Sequence, residues 1–415
     1  MDDVTAGRVG AAVVIRPISF VDDAQPLRWV ERIGGTMRTL DTLSGESTDS
    51  AESMDSAIGE FTPDGVGGAH RTHWVSTPEE LLRELPLTAS AARSVHAGRL
   101  VARQVLDGDD DRLLVVVGPC SIHDVNAGLA YAKYLGDLGR DLMDDLAVVM
   151  RVYIEKPRTT VGWTGMLTDP ALDGSLDLDR GLRATRALML EIAEMGTAIA
   201  TEWLSPAAPA YLADLVSWGA IGARTVESQV HRQLASGLPM PVGMKNGSTG
   251  SVGVAVDAVR SAAAPHAYLG LGPDGRPVKL HTSGNPDCHV VLRGASGRPN
   301  YDAENVRETA RLLAEAGLPT GLVIDASHGN SGKDHVQQAV VARQIGEQIA
   351  EGGTDIRGVM LESFLIPGRQ ELGEGEPVFG QSVTDACMGW DATAEVLRDL
   401  AAAVRRRRAA TAATR

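Results

Sequence analysis

The chain has 415 residues, and its 39 Lys plus Arg against 54 Asp plus Glu give a formal net charge of −15. That balance excludes nucleic-acid binding through a global positive field, so an anionic ligand must be met by locally gathered cations. Hydrophobic residues at 43% and charged residues at 22% exclude disorder throughout the chain.

Cys120, Cys288 and Cys387 are too few for a disulfide scaffold, and their odd number fits a reducing compartment. No apolar run approaches the ~20 residues of a bilayer span. The acidic start, Met1-Asp2-Asp3, and the short apolar stretch Ala11–Ile15 do not read as a secretory signal. We expect a soluble, cytoplasmic protein with neither a membrane nor a nucleic acid as partner.

Residues 1–76 read as a flexible leader. Ser44–Ser56 is rich in Ser, Asp, Glu and Thr, Thr62–Gly68 is rich in Gly, and no helical or strand period persists. Met37 and Met54 offer later starts. Residues 77–112 read as N-terminal helices. Thr77-Pro78-Glu79-Glu80 has the form of a capping box with Pro at the first helical position, and a second helix is expected over Ala89–Leu106.

From Leu113 short apolar runs alternate with helical stretches. The runs are Leu113–Val117, Leu146–Val152, Ala198–Thr201, Gly219–Ala223, Pro241–Met244, His289–Leu292, Leu322–Ile324 and Gly358–Leu361. Continuous apolarity marks strands buried on both faces, as in a parallel sheet. Between them, Val306, Ala310 and Leu313 share one helical face, and Val341, Ile345 and Ile349 step by four. The pattern predicts an α/β fold, a (β/α)8 TIM barrel over residues 113–404 with an N-terminal helical extension. A segment between Pro265 and Thr282 reads as an inserted hairpin. Residues 405–415 read as a basic tail, with Arg405–Arg408 a solvated helix end.

The chemistry sits where each run ends: Cys120, Arg151, Glu202, Arg224, Lys245, Arg293, His328 and Glu362. In a barrel these ends converge on one face, where active sites are built. Arg151, Arg224, Lys245 and Arg293, joined by Lys156 and Arg158, make a cation cluster that repels itself unless anions occupy it. Guanidinium forks suit phosphate and carboxylate, so we expect small phosphorylated, carboxylated substrates. Cys120, His328, Glu362 and Asp385 form a candidate divalent-metal set, and thiolate with imidazole favours Mn²⁺, Fe²⁺, Co²⁺ or Zn²⁺ over Mg²⁺ and Ca²⁺. Cys288 and Cys387 read as packing residues. His123 and His231 sit in mouth loops without a ligand assignment. Lys245 is also open to a Schiff-base role.

These residues lie in longer strings: GPCSIHD from Gly118, RVYIEKPRTTVGW from Arg151, SWGAIGARTVESQVHRQLASGL from Ser217, GMKNG from Gly243, HTSGNPDCHVVLRG from His281, IDASHGNSGK from Ile324 and SVTDACMGW from Ser382. Together they closely resemble type I 3-deoxy-D-arabino-heptulosonate 7-phosphate (DAHP) synthases, over about Thr77 to Arg405. The resemblance implies a metal-dependent aldol-type condensation of phosphoenolpyruvate with erythrose 4-phosphate, the first step of the shikimate pathway of aromatic amino acid biosynthesis, by a homo-oligomer, dimer or tetramer. It implies metal ligation by Cys120, His328, Glu362 and Asp385. It places phosphoenolpyruvate on Arg151, Lys156, Ala223, Arg224, Lys245, Arg293 and His328, and the aldose phosphate on Arg158 and Thr159. Lys156, Glu202 and His328 are the expected catalytic residues, with Lys156 serving the developing alkoxide and Glu202 positioning water.

Three features depart from the family pattern. The leader is long, Thr164 stands where relatives carry Lys, and Trp203–Ala210, where relatives build part of an allosteric pocket, has an unfamiliar sequence that names no effector. The rival readings are the sister 3-deoxy-manno-octulosonate 8-phosphate synthase, which Lys156-Pro157-Arg158-Thr159 disfavours, a silent regulatory sugar-phosphate-binding subunit, and a Schiff-base aldolase using Lys245.

Overall fold

The computed structural model describes residues 30–33, 36–39, 73–373, 375 and 377–413. The chain divides into two units, Met1–Trp74 and Val75–Arg415. In the first, β1 (Val30–Ile33) pairs antiparallel with β2 (Thr36–Thr39), with Glu31 and Arg38 opposed in register. The sequence carries no strand period over residues 1–76 that would announce this pair. Each strand has only four residues, too few to register a period. Ser44–Ser56, Met54 and Thr62–Gly68 lie outside the described residues.

The second unit opens on the helix Pro78–Glu84, whose capping box is present in full. Glu80 N–H donates to Thr77 Oγ1, and Glu80 Oε2 accepts from Thr77 N–H at 2.8 Å. Ala89–Asp107 follows, capped by Thr88 and stopped by Gly108 in the left-handed region.

Eight parallel strands then close a barrel: β3 (Leu113–Gly118), β4 (Leu146–Arg151), β5 (Ala198–Glu202), β6 (Trp218–Ile221), β7 (Val242–Lys245), β10 (Cys288–Leu292), β11 (Leu322–Asp325) and β12 (Ile356–Glu362). Closure runs through β12 and β3, from Gly358 opposite Leu114 to Glu362 opposite Gly118. Strand alternation sorts the side chains. Leu114, Val116, Ala147, Val149, Ala200, Ala220, Val291, Val323 and Met360 fill the interior, joined by Ala102, Val105 and Leu106 of the helix Ala89–Asp107. Leu113, Val115 and Val117 join the cluster that packs against the outer helices. Leu106 O lies 2.7 Å from where a Cβ on Gly321 would stand, just before β11, so this helix closes the floor of the barrel.

All eight expected strands exist. β6 ends at Ile221, before the expected Ala223, because Gly222-Ala223 turn out of the sheet and carry Arg224 into the mouth. The inserted hairpin is β8 (His266–Leu271) with β9 (Pro277–Thr282). A parallel pair beyond β12, β13 (Ile366–Arg369) with β14 (Gln381–Ser382), had no sequence signal. The basic segment ends the helix Trp390–Ala413, where Arg406 pairs with Glu347 and Arg408 with Asp111 and Asp145. Among the described residues no helix is long and apolar enough to cross a membrane.

Candidate active site

The mouth of the barrel holds a cavity of about 390 Å³. Arg151, Lys156, Arg158, Thr159, Glu202, Ala223, Arg224, Lys245, Arg293, His328, Glu362 and Asp385 all line it. Cys120 is the one sequence-derived candidate absent from the lining. It is fully buried, with Sγ 3.7 Å from Asp385 Oδ2.

The backbone explains how Cys120 gets there. Gly118 ends β3 at φ +155°, and a Cβ there would come within 2.8 Å of Arg151 O. Only glycine lets β3 leave the barrel against β4 at this point. Cys120 N–H then points at Cys387 Sγ, 3.4 Å away, which gives Cys387 a place beside the site beyond simple packing. Glu362 ends β12, and Gln338 holds its backbone from both sides, accepting from N–H at 2.7 Å and donating to O at 2.9 Å.

Cys120, Glu362 and Asp385 offer ligand atoms all within 4.8 Å of one another. His328 stands outside this trio, its Nε2 3.7 Å from Glu362 Oε1. Its backbone sits at φ +53°, a strained value for a residue other than glycine. Nδ1 lies 2.9 Å from Asp325 Oδ2 and 2.6 Å from Ser327 Oγ, which leaves Nε2 as the nitrogen free to ligate. A mixed sulfur, nitrogen and carboxylate set suits the softer first-row divalent ions. The donors fit such a group: clustered anions and a thiol need a cation among them.

Lys156 Nζ takes that part here, 2.7 Å from Cys120 Sγ and 3.0 Å from Asp385 Oδ2. Lys333 Nζ covers Asp385 Oδ1 at 3.1 Å. Burial pushes the Cys120 thiol up to about 11, and the charge of Glu362 adds to it. Burial alone would lower Lys156, but Cys120, Glu362 and Asp385 outweigh it and keep the ammonium charged. Burial would raise Glu362, yet His328, Lys156 and Arg151 hold it below the usual carboxylate range.

The cations occupy the adjoining wall. Arg151 is almost fully buried, donates to Glu362 Oε1 at 3.2 Å and lies over the Tyr153 ring, 3.9 Å from its centroid. Lys245, also buried, reaches Asp325 Oδ2 at 3.0 Å. Arg224 reaches across to the loop after β4, donating to Pro157 O and Thr159 Oγ1. Burial would lower Lys245, but Asp325 and Tyr153 raise it, so it stays protonated. A Schiff-base nucleophile needs the opposite shift, which disfavours that alternative.

Sequence reasoning passed over Asp325, Lys333 and Tyr153. All three stand in the strings quoted above, and Tyr153 shares a face with Arg151 two residues earlier. Nothing in the strings ranks them above their neighbours.

Comparison with known proteins agrees with this geometry. Residues 84–398 match the model of the DAHP synthetase I family. The chain is 51% identical over 332 residues to the Phe-sensitive phospho-2-dehydro-3-deoxyheptonate aldolase of Escherichia coli K12, covering 80% of this chain and 95% of that one. It is 48% identical over 347 residues to the phospho-2-dehydro-3-deoxyheptonate aldolase of Corynebacterium glutamicum, covering 81% and 94%. The solved structure of the Francisella tularensis SCHU S4 enzyme of the same name superposes with a TM-score of 0.81 at 44% identity, covering 82% of this chain and 99% of that chain. The chain belongs to the DAHP synthetase I family.

Proposed function

We propose that this protein condenses phosphoenolpyruvate with erythrose 4-phosphate to DAHP and inorganic phosphate, the first step of the shikimate pathway of aromatic amino acid biosynthesis. The observation that carries the reading is one cavity where Glu362 and Asp385, backed by the buried Cys120 thiol, face a bank of cations, in a chain of this family.

Arg151, Arg224, Lys245 and Arg293, with the backbone N–H of Ala223, hold phosphoenolpyruvate through its carboxylate and phosphate. Arg158 and Thr159 hold the aldose phosphate. The cations offset the repulsion between two polyanionic substrates and align them for attack. A divalent ion held by Cys120, His328, Glu362 and Asp385 would supply Lewis-acid polarisation of the aldehyde oxygen. The C2–C3 π pair of phosphoenolpyruvate forms the new bond to the aldehyde carbon, and Lys156 delivers a proton to the developing alkoxide. Glu202 orients the water that adds at the electron-poor C2. The resulting hemiketal phosphate collapses to the ketone as its C–O bond breaks and phosphate departs.

The same reading takes 113–404 as the catalytic barrel, 77–112 as its helical extension, 405–415 as a basic tail and 1–76 as a leader. The protein acts as a homo-oligomer in the cytoplasm. The test is to follow phosphoenolpyruvate absorbance in the presence of erythrose 4-phosphate. EDTA should abolish its loss, Mn²⁺ should restore it, and arabinose 5-phosphate should not replace the four-carbon sugar. Equal turnover in EDTA would overturn the metal assignment, and faster turnover of the five-carbon sugar would overturn the substrate.

A further inference from the structure

Three buried asparagines meet around the turn that carries Arg293. Asn246 Oδ1 accepts from Arg293 N–H at 2.7 Å, and its Nδ2 donates to Gly294 O at 3.1 Å. Asn300 Oδ1 accepts from Gly294 N–H at 2.7 Å, while its Nδ2 donates to Asn246 Oδ1 at 3.2 Å. Asn330 Oδ1 accepts from Asn300 N–H at 2.7 Å, and its Nδ2 donates to Asp325 O at 2.8 Å. The remaining polar group of the Arg293 peptide, its carbonyl, accepts from Gly329 N–H at 3.0 Å.

Side-chain amides thus take over where strand pairing stops. β10 is laddered to its neighbours only as far as Leu292, and the next backbone groups are held by Asn246 and Asn300. The two mouth turns also touch directly. A Cβ on Gly294, at φ +68°, would stand 2.6 Å from Gly329 C, and one on Gly329 would stand 2.5 Å from Ala295 N. The two turns pack backbone against backbone, with no room for a side chain at either glycine.

A buried polar network of this kind specifies one geometry when every member is satisfied. The Arg293 side chain, by contrast, is only partly buried and, among the described residues, donates to the Gly294 carbonyl next to it at 3.2 Å. Its aim is therefore set from below, by its own peptide. We propose that Asn246 and Asn300, braced by Asn330, are positioning residues that fix the Arg293 peptide so that its guanidinium meets the anionic groups of phosphoenolpyruvate.

This inference rests on the assignment of Arg293 to phosphoenolpyruvate, and the test separates the two. Phosphoenolpyruvate binding to the Mn²⁺-loaded enzyme is measured by calorimetry, alongside KM for both substrates. In Asn300→Ala, phosphoenolpyruvate binding should weaken roughly 10-fold or more while KM for erythrose 4-phosphate and the Kd of Mn²⁺ stay within about two-fold. Asn300→Asp keeps the acceptor for Gly294 N–H and should recover part of the loss. It also serves as the measurement if the alanine variant does not fold. In an Arg293→Ala background, Asn300→Ala should add nothing further. Unchanged phosphoenolpyruvate binding in a folded Asn300 variant would overturn the clamp, as would an equal loss of all three affinities. If Arg293→Ala itself leaves phosphoenolpyruvate binding intact, the assignment of Arg293 fails instead.

Discussion

The ammonium of Lys156 touches the thiol of Cys120, 2.7 Å from Nζ to Sγ, and leans on Asp385 at 3.0 Å. Lys156 therefore sits among the same donors that a divalent ion would take, as their counterion. The site resolves that overlap if the lysine turns toward the cavity, which it already lines, when a cation enters. Lys156→Ala should lower kcat about 10²–10⁴-fold, the usual worth of a positioned proton donor. Mn²⁺ should bind at least as tightly as in the wild type, because a competing charge is gone. Equilibrium dialysis beside steady-state kinetics checks both, and a variant that loses Mn²⁺ would show the lysine to be part of the metal's support.

Cys120 is fully buried and its thiol lies within a few ångströms of two carboxylates. Cobalt substitution reads this sulfur directly, because a thiolate ligand gives Co²⁺ a near-ultraviolet charge-transfer band. The wild-type protein should show the band and Cys120→Ser should lack it. The serine variant should also hold Mn²⁺ at least about 10–100-fold more weakly, a loss that even outer partners of a metal site produce. An intact band in the variant would remove Cys120 from the ligand set.

The convergence of these groups was readable because a barrel places every strand end on one face, whatever the sequence distance. The strands themselves were readable because they are buried on both sides and so carry unbroken apolar runs. What escaped was short or made of contacts alone. β13 and β14 are too brief to show a period. Asp325 is one acid among many until the fold sets it between Lys245 and His328. The asparagine clamp joins Asn246 to Asn300 across 54 positions, and amide side chains carry no pattern that announces such a meeting.

Asp325 is fully buried, and it accepts from Lys245 Nζ at 3.0 Å while facing His328 Nδ1 at 2.9 Å. Burial would raise its carboxyl, but His328 and Lys245 hold it well below the usual range. Asp325→Asn strands a buried ammonium beside a neutral amide, and losing one partner of such a pair costs about 3–5 kcal/mol. Urea denaturation should show that loss, together with a raised KM for phosphoenolpyruvate as Lys245 drifts. Glu308→Gln, which breaks an exposed pair with Arg311, is the control and should leave the denaturation midpoint where it was. If the two variants denature alike, the buried pair contributes nothing that an exposed one does not.

His289 gives the barrel an acid-sensitive point away from the metal set. It is the second residue of β10 and buried, with Nε2 3.3 Å from Trp218 Nε1 and Nδ1 3.2 Å from Asp287 O. An indole nitrogen can only donate, so Nε2 must accept and Nδ1 must carry the one proton. A second proton would set N–H against N–H. Burial lowers His289 to about 4, against an ordinary value near 6.5. The unfolded chain therefore binds this proton from about pH 6.5 downward while the folded chain refuses it until about pH 4. Stability from this residue is complete above pH 6.5 and is lost as pH falls through that window, by roughly 3 kcal/mol in all. His289→Gln keeps an acceptor for the indole and cannot titrate. Urea midpoints of both proteins, taken in EDTA at pH 7.5 and at pH 4.5, should diverge at the lower pH with the wild type falling further. Parallel curves would mean that the imidazole gains its proton without opening the barrel floor.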